Sequence, residues 1–409
     1  MSQTSAVAET TTERSASRTT FPVGYRSFHA DPSINFELNR WLGPLPEQEL
    51  RAAAPRIASL ADWKMVMLEL AQRAERDAEV AADNARARER TRAAAFYYRA
   101  VEFFLDVKDP DKDRVYRRFV ELFDRSVAAI PHRRDSVPFD GGWLPVIVLP
   151  ARSGPSRTTI LFHGGFDSMQ EELFDWAMVF AEGGYDVVLF EGPGQGAALR
   201  EHGLVMRPDW ERPVAAVLDH FAIERATLLG ISLGGYLAPR AAAFEPRIER
   251  VVVCDILDDF FECFTARAGE PVARALTELL AAGARVETNA LLEPAMRESP
   301  ATGWAIRHGM RVAGAADAYE FLLWLREMNT APFSDRVTQD VLLLAGTEDH
   351  IVPIHQLWRQ SQNLRRARSL TTRVFTAAEQ AHNHCQIGNI GLALDFVRSW
   401  LDFQTGHYS

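Results

Sequence analysis

The run Thr227-Leu228-Leu229-Gly230-Ile231-Ser232-Leu233-Gly234-Gly235-Tyr236-Leu237-Ala238 constrains this chain more than any other stretch. An apolar strand leads into G-x-S-x-G, and an Ala-rich helical segment follows at once. Going from strand to helix through so short a turn holds the central residue in a strained conformation. Glycines two positions either side of Ser232 remove side chains that would collide there. The helix then points its N-terminus at the serine, which favours negative charge developing beside it. An incidental Gly-Ser-Gly turn is the bland alternative. The strand before and the helix after it argue for a nucleophile.

The rest of the second half supplies the sheet such a turn needs. Short β-rich runs at Leu144–Leu149, Thr158–Phe162, Asp186–Phe190, Ala226–Gly230, Val251–Cys254, Val341–Ala345 and Thr371–Phe375 alternate with helical patterns. That alternation implies an α/β fold, a mostly parallel sheet with helices on both faces. The stretch between Val253 and Val341 is too long for one crossover and carries helical spacing, for instance over Val272–Ala282 and Ala318–Met328. It reads as a helical insertion over the sheet's carboxyl edge, where α/β ligands bind. Before residue 135 the periodicity is helical throughout, as in Asp62–Ala71 and Phe96–Leu105. The expected organisation is a disordered tail over 1–20, a helical N-terminal lid domain over 21–134 and a first part of the core over 135–265. An insertion over 266–335 and a second part of the core over 336–409 follow.

Composition narrows the partners. A net charge of −10 argues against nucleic acid, and the scattered Lys and Arg argue against an anionic membrane surface. Cys254, Cys263 and Cys385 form neither a disulfide framework nor a zinc spacing. With no membrane-length apolar run and a polar, Thr/Ser-rich start lacking a hydrophobic core, the expectation is a cytoplasmic protein acting on a small molecule.

A serine hydroxyl needs a base, and the base an orienting acid. With a serine on such a turn, acid and then base follow in chain order. Asp349, on the loop leaving the strand Val341–Ala345, is the expected acid; Glu348 reads as a solvated charge, and Asp255, Asp258 and Asp259 are the rivals. After the last strand, His382 and His384 both qualify as base, and spacing does not choose between them. The oxyanion donors expected are the N–H of Leu233 and that of Gly165 or Phe166, in the glycine-rich loop after Phe162. His163 reads as a loop brace. Glu191-Gly192-Pro193-Gly194-Gln195-Gly196 reads as a tight turn, because its spacing is wrong for a dinucleotide fingerprint. No metal or cofactor is called for.

Together these residues resemble the α/β-hydrolase fold. His163-Gly164-Gly165-Phe166-Asp167-Ser168 with Glu171-Glu172, then Glu191–Gly196, Gly230–Gly235 and His384-Cys385-Gln386, are similar to one group within it. That group contains 2,6-dihydroxypseudooxynicotine hydrolase and a fungal pigment hydrolase that shortens a polyketide at a carbon–carbon bond. Asn35–Trp41 and Tyr98–Phe104 resemble segments of the group's helical domain. The resemblance implies that His384, directly before Cys-Gln, is the base, and that Asp255 and Asp259 lie near the substrate. Ile256 departs from the glycine expected between them. The resemblance further implies a homodimer and hydrolysis at a carbonyl of an aromatic or polyketide-like molecule through an acyl-enzyme. An esterase, thioesterase or cyclising acyltransferase would use the same apparatus; a non-catalytic binding protein would not need it. Phe36, Trp41, Tyr97, Tyr98 and Phe103 are the candidate lining of an apolar roof, with Tyr98 taken as a substrate contact.

Overall fold

The computed structural model describes residues 18–406. Five helices open the chain: α1 (Pro32–Arg40), α2 (Glu47–Ala53), α3 (Leu60–Glu79), α4 (Asn84–Phe104) and α5 (Lys112–Val127). Side chains of Asp31, Ser59 and Asp83 accept from the free N–H groups that begin α1, α3 and α4. Helix α3 buries Trp63, Val66, Met67, Leu70, Ala71 and Ala74, a single stripe at helical spacing, and packs on α4. Helix α4 is buried all round from Ala93 to Phe103, so it forms the middle of this helical layer.

The sheet then begins with β1 (Arg133–Phe139) and β2 (Gly142–Leu149). It continues through β3 (Thr159–His163), α6 (Gln170–Glu182), β4 (Asp186–Phe190), α7 (Gly196–His202), α8 (Glu211–His220), β5 (Ala226–Ile231), α9 (Gly234–Ala242) and β6 (Ile248–Cys254). Five helices follow: α10 (Phe260–Ala266), α11 (Glu270–Ala281), α12 (Arg285–Glu298), α13 (Pro300–Ala313) and α14 (Ala318–Glu327). The chain closes with β7 (Asp340–Gly346), α15 (His355–Asn363), β8 (Ser369–Phe375) and α16 (Ile390–Gln404). Strand order is β1-β2-β4-β3-β5-β6-β7-β8, with β1 and β2 antiparallel to their neighbours and the rest parallel. All six residues of β5 are buried, as a central strand covered on both faces requires.

The β-rich runs marked β2 to β8. They missed β1, whose sequence Arg-Arg-Asp-Ser-Val-Pro-Phe is polar because it forms an edge, where charge blocks further pairing. The helical insertion begins at Phe260, ahead of residue 266. Of the tail expected over 1–20, residues 1–17 lie outside the described residues. Thr19 is held to the core, donating from its N and Oγ1 to Glu182 at 3.0 and 2.8 Å. No helix among the described residues is long and apolar enough to cross a membrane.

Polar contacts join the helical layer both to the segment after β3 and to the insertion. Arg99 of α4 donates to Glu172 Oε1 at 2.7 Å and to the Asp167 carbonyl at 2.6 Å. Trp304 of α13 donates to the Phe103 carbonyl at 2.8 Å and stacks on the Phe103 ring. The first helices and the insertion thus meet above the carboxyl edge of the strands.

Candidate active site

Ser232 sits between β5 and α9 with φ of 59°, a left-handed conformation that a serine adopts only under constraint. Its N–H donates to the Cys254 carbonyl at 2.8 Å, which anchors the turn to β6. Of the two motif glycines Gly230 is the one the packing requires, since a Cβ on Gly234 would come no nearer than 3.3 Å to its neighbours. A Cβ on Gly230 would lie 2.4 Å from the Gly234 carbonyl oxygen, meeting the helix rather than the serine. The tightest position is Gly235, which G-x-S-x-G does not include: its Cβ would lie 2.2 Å from the Asp255 oxygen and 2.5 Å from the Leu257 nitrogen. Gly→Ala inside a helix ordinarily gains about 1 kcal/mol. Here Gly235→Ala is expected to cost about 3 kcal/mol through backbone overlap, read as a lower denaturant midpoint at unchanged slope. An unmoved midpoint would show that the turn can yield.

The loop after β8 brings His384 to the serine. Its Nε2 is 2.9 Å from Ser232 Oγ, and its Nδ1 is 2.8 Å from Asp349 Oδ2. Asp349 is itself fixed: Oδ1 accepts from the N–H groups of Ile351 and Val352 at 2.7 and 2.9 Å. Burial works to raise the Asp349 pKa, but the adjacent imidazole outweighs it and the carboxyl is lowered to about 2. Burial disfavours charge on His384, yet Asp349 carries its pKa well above the usual histidine range. His382 stands apart, 3.9 Å from Glu348, whose side chain is 63% exposed.

Asp255 and Asp259 require correction. Neither lines the cavity described below. Asp255 is buried behind the imidazole, 3.5 Å from His384 Nδ1. Its Oδ2 accepts from the Cys385 N–H at 2.6 Å and its Oδ1 from Gln386 Nε2 at 2.7 Å. It therefore clamps the loop that carries His384. Burial, with Asp349 beside it, pushes the Asp255 carboxyl well up. Asp259 caps α10, accepting from the Glu262 N–H and from Asn329 Nδ2. Asp255, His384 and Cys385 are the described residues whose donor atoms stand close enough to share a metal ion. Both nitrogens of His384 and both oxygens of Asp255 are already engaged in the contacts just given.

Gly165 presses against the turn, since a Cβ there would meet the Leu233 nitrogen at 2.5 Å. The Gly165 N–H donates to Ser168 Oγ at 3.2 Å, whereas no bond among the described residues uses the N–H of Leu233 or Phe166. Gln195 fixes this loop by donating to the carbonyls of Gly164 and Gly165, both at 2.9 Å. Glu191 braces the same turn, accepting from the N–H groups of Gln170 and Ala197. Those bracing roles were not visible in the sequence; only the turn was. His163 packs on Phe190 and Trp210 with Nδ1 2.8 Å from the Gly164 carbonyl, and burial lowers its pKa to about 4.

Ser232 and His384 open on a cavity of about 660 Å³, within the usual size of small-molecule sites. Phe21, Phe36, Trp41, Phe96, Leu173 and Trp176 give it apolar walls. Phe36 lies against the row, 6.4 Å from the His384 ring. Tyr97, Tyr98 and Phe103 do not line it. Tyr98 is buried within the helical layer, its hydroxyl bonded to Glu75, so its role is packing. Phe21 was not foreseen as lining; it is the first residue of the segment assigned to the helical N-terminal domain.

A sheet of this order, presenting a serine at a strained strand-to-helix turn with an imidazole and a carboxylate behind it, defines a class of hydrolytic proteins. The model described as the alpha/beta hydrolase family matches residues 159–384, and the chain belongs to that family. Hydrolase LUC6 of Fusarium sp is 35% identical over 265 residues, covering 57% of this chain and 63% of that protein. The 20-hydroxy-prefusarin hydrolase FUS2 of Gibberella moniliformis is 34% identical over 274 residues, covering 58% and 64%. Hydrolyase poxO of Penicillium oxalicum is 29% identical over 352 residues, covering 78% and 82%. The match thus spans about half to two thirds of the first of these curated relatives. Among solved structures, 2,6-dihydroxy-pseudo-oxynicotine hydrolase shares the fold with a TM-score of 0.67 at 22% identity, covering 89% of this chain and 94% of that one.

Proposed function

We propose that this chain is a serine hydrolase acting on a carbonyl of an aromatic or polyketide-like small molecule. The observation that carries the reading is the row Ser232–His384–Asp349, at 2.9 and 2.8 Å, opening on the cavity. Ser232 Oγ attacks the carbonyl carbon while His384 Nε2 takes its proton, and Asp349 keeps the imidazole in the right tautomer. The N–H groups of Leu233 and Phe166, which have no partner among the described residues, receive the oxyanion, each contributing about a hundred- to a thousandfold in rate. His384 then protonates the leaving group, and water, activated by the same imidazole, releases the acyl half.

The leaving atom can be carbon when a neighbouring carbonyl or phenol takes the electron pair of the broken bond as an enolate. The relative named for 20-hydroxy-prefusarin supports a small organic substrate. A fluorophosphonate probe is expected to add to Ser232 in the wild type and not to Ser232→Ala, seen as the mass shift of one tryptic peptide. An unlabelled wild type would sink the nucleophile. Turnover of p-nitrophenyl esters far above that of any 1,3-diketone would turn the reading to an esterase or thioesterase.

A further inference from the structure

Helix α1 brings a second polar pair to the same cavity. Glu37 and Arg40, one turn apart, both stand in its wall. Glu37 is only 8% exposed, yet its Oε2 has no hydrogen-bond partner; the nearest cation is Arg40, whose Nη1 is 3.8 Å away. Arg40 is engaged on its other side. Its Nη2 donates to Asp167 Oδ1 at 3.1 Å and to Glu172 Oε2 at 2.9 Å, and its guanidinium lies over the rings of Trp41 and Phe103. Nη1 is left turned toward Glu37.

A buried polar group without a partner costs stability and calls for an explanation. Neutralising Arg40 is not one, because Asp167 and Glu172 already do so. Leucine would fill the same wall without the penalty. A partner supplied from the cavity removes the difficulty. We infer that Glu37 and Arg40 form a subsite for a second substrate oxygen, an enol or phenol oxygen that gathers negative charge, held between the Glu37 carboxyl and Arg40 Nη1. This rests on the reading of the cavity as the substrate site.

The surrounding charges suit that task. Burial raises the Glu37 pKa to about 8; Arg40 pulls it back, Asp167 and Glu172 add to the rise, and Arg99 of α4 lowers it. Tyr25 of the N-terminal segment also feels Glu37, and His384 lines the same space. At neutral pH Glu37 therefore offers an O–H donor beside a guanidinium N–H, both complementary to one electron-rich oxygen. Above about pH 8 it becomes a carboxylate and repels that oxygen.

The test uses Ser232→Ala protein, so that binding is read without turnover and whatever Ser232 does. The probes are 1-phenylbutane-1,3-dione and 1-phenylbutan-1-one, which differ by one oxygen. By titration calorimetry at pH 7 the dione is expected to bind about tenfold tighter. Glu37→Leu in the same background is expected to abolish the preference, with thermal unfolding checking that the fold is kept. Glu37→Gln keeps an amide donor and should retain part of the preference, but without the fall through pH 8 that the parent shows. Equal affinity for the two ketones, or no binding of either, would overturn the subsite, as would an unchanged preference in Glu37→Leu. Failure of Ser232 labelling in the wild type would refute the hydrolase reading and leave this comparison intact.

Discussion

His384→Ala is expected to lower kcat by about a millionfold, and Ser232→Ala by as much, with the double variant no slower than either single one. Ser232 and His384 act as one unit in the proton transfer, with Asp349 orienting the ring and taking no proton itself, so removing either abolishes the transfer, and the residual rate comes from binding and the oxyanion donors. His382→Ala is the internal control. Two residues away in sequence, it contacts neither Ser232 nor Asp349, and its nearest acid is an exposed Glu348. It should therefore leave kcat nearly unchanged. The wild-type pH profile adds a sign. The base works only when neutral, so kcat/KM rises with pH as His384 loses its proton. Asp349 raises that pKa, which places the limb above the 6.5 of a free imidazole. Equal losses in His382→Ala and His384→Ala would show that the row at 2.9 and 2.8 Å is not the one that works.

How much of this was legible follows from the range of each physical demand. The turn at Ser232 was readable because its sterics act over five adjacent residues; Gly235 was not, because its demand comes from Asp255, on another strand end. Strands β2 to β8 announced themselves as β-rich runs, while β1 looked like a loop because it opens on Arg-Arg-Asp and carries a proline. The choice between His382 and His384 came from resemblance and not from spacing, since both stand on one short loop. Asp255 was placed beside the substrate. In the fold it lies behind the base, because Cys385 and Gln386 return beneath β6 to bond it from 130 residues away. Tyr98 looked like lining for a similar reason: its helix is buried on every side, so its own spacing does not tell an inner wall from a packed core. Glu37 carried no signal at all, since a glutamate on a helix reads as solvated until burial is known.

Asp349→Asn is expected to lower kcat about ten-thousandfold, and Asp255→Asn only about tenfold, although both carboxylates approach His384 Nδ1, at 2.8 and 3.5 Å. The difference follows from what each oxygen already does. Oδ1 of Asp349 accepts from Ile351 and Val352, so an asparagine there must keep its carbonyl oxygen on those N–H groups. Its NH2 then faces Nδ1 and forces the proton onto Nε2, the tautomer that cannot take a proton from Ser232. The charge that raises the His384 pKa goes too, so the acid limb should move to lower pH. At Asp255 burial and the neighbouring Asp349 already disfavour the charged form, so an amide there is a smaller electrostatic change than at Asp349. It can keep the bond from Gln386 Nε2 but sets an NH2 against the Cys385 N–H, which weakens the loop by roughly 1–3 kcal/mol. Asp255→Asn should thus lose more in thermal stability than in rate, with its pH limb unmoved. The opposite ranking of the two rates, measured as kcat under saturating substrate, would make the carboxylate behind β6 the one that orients the base.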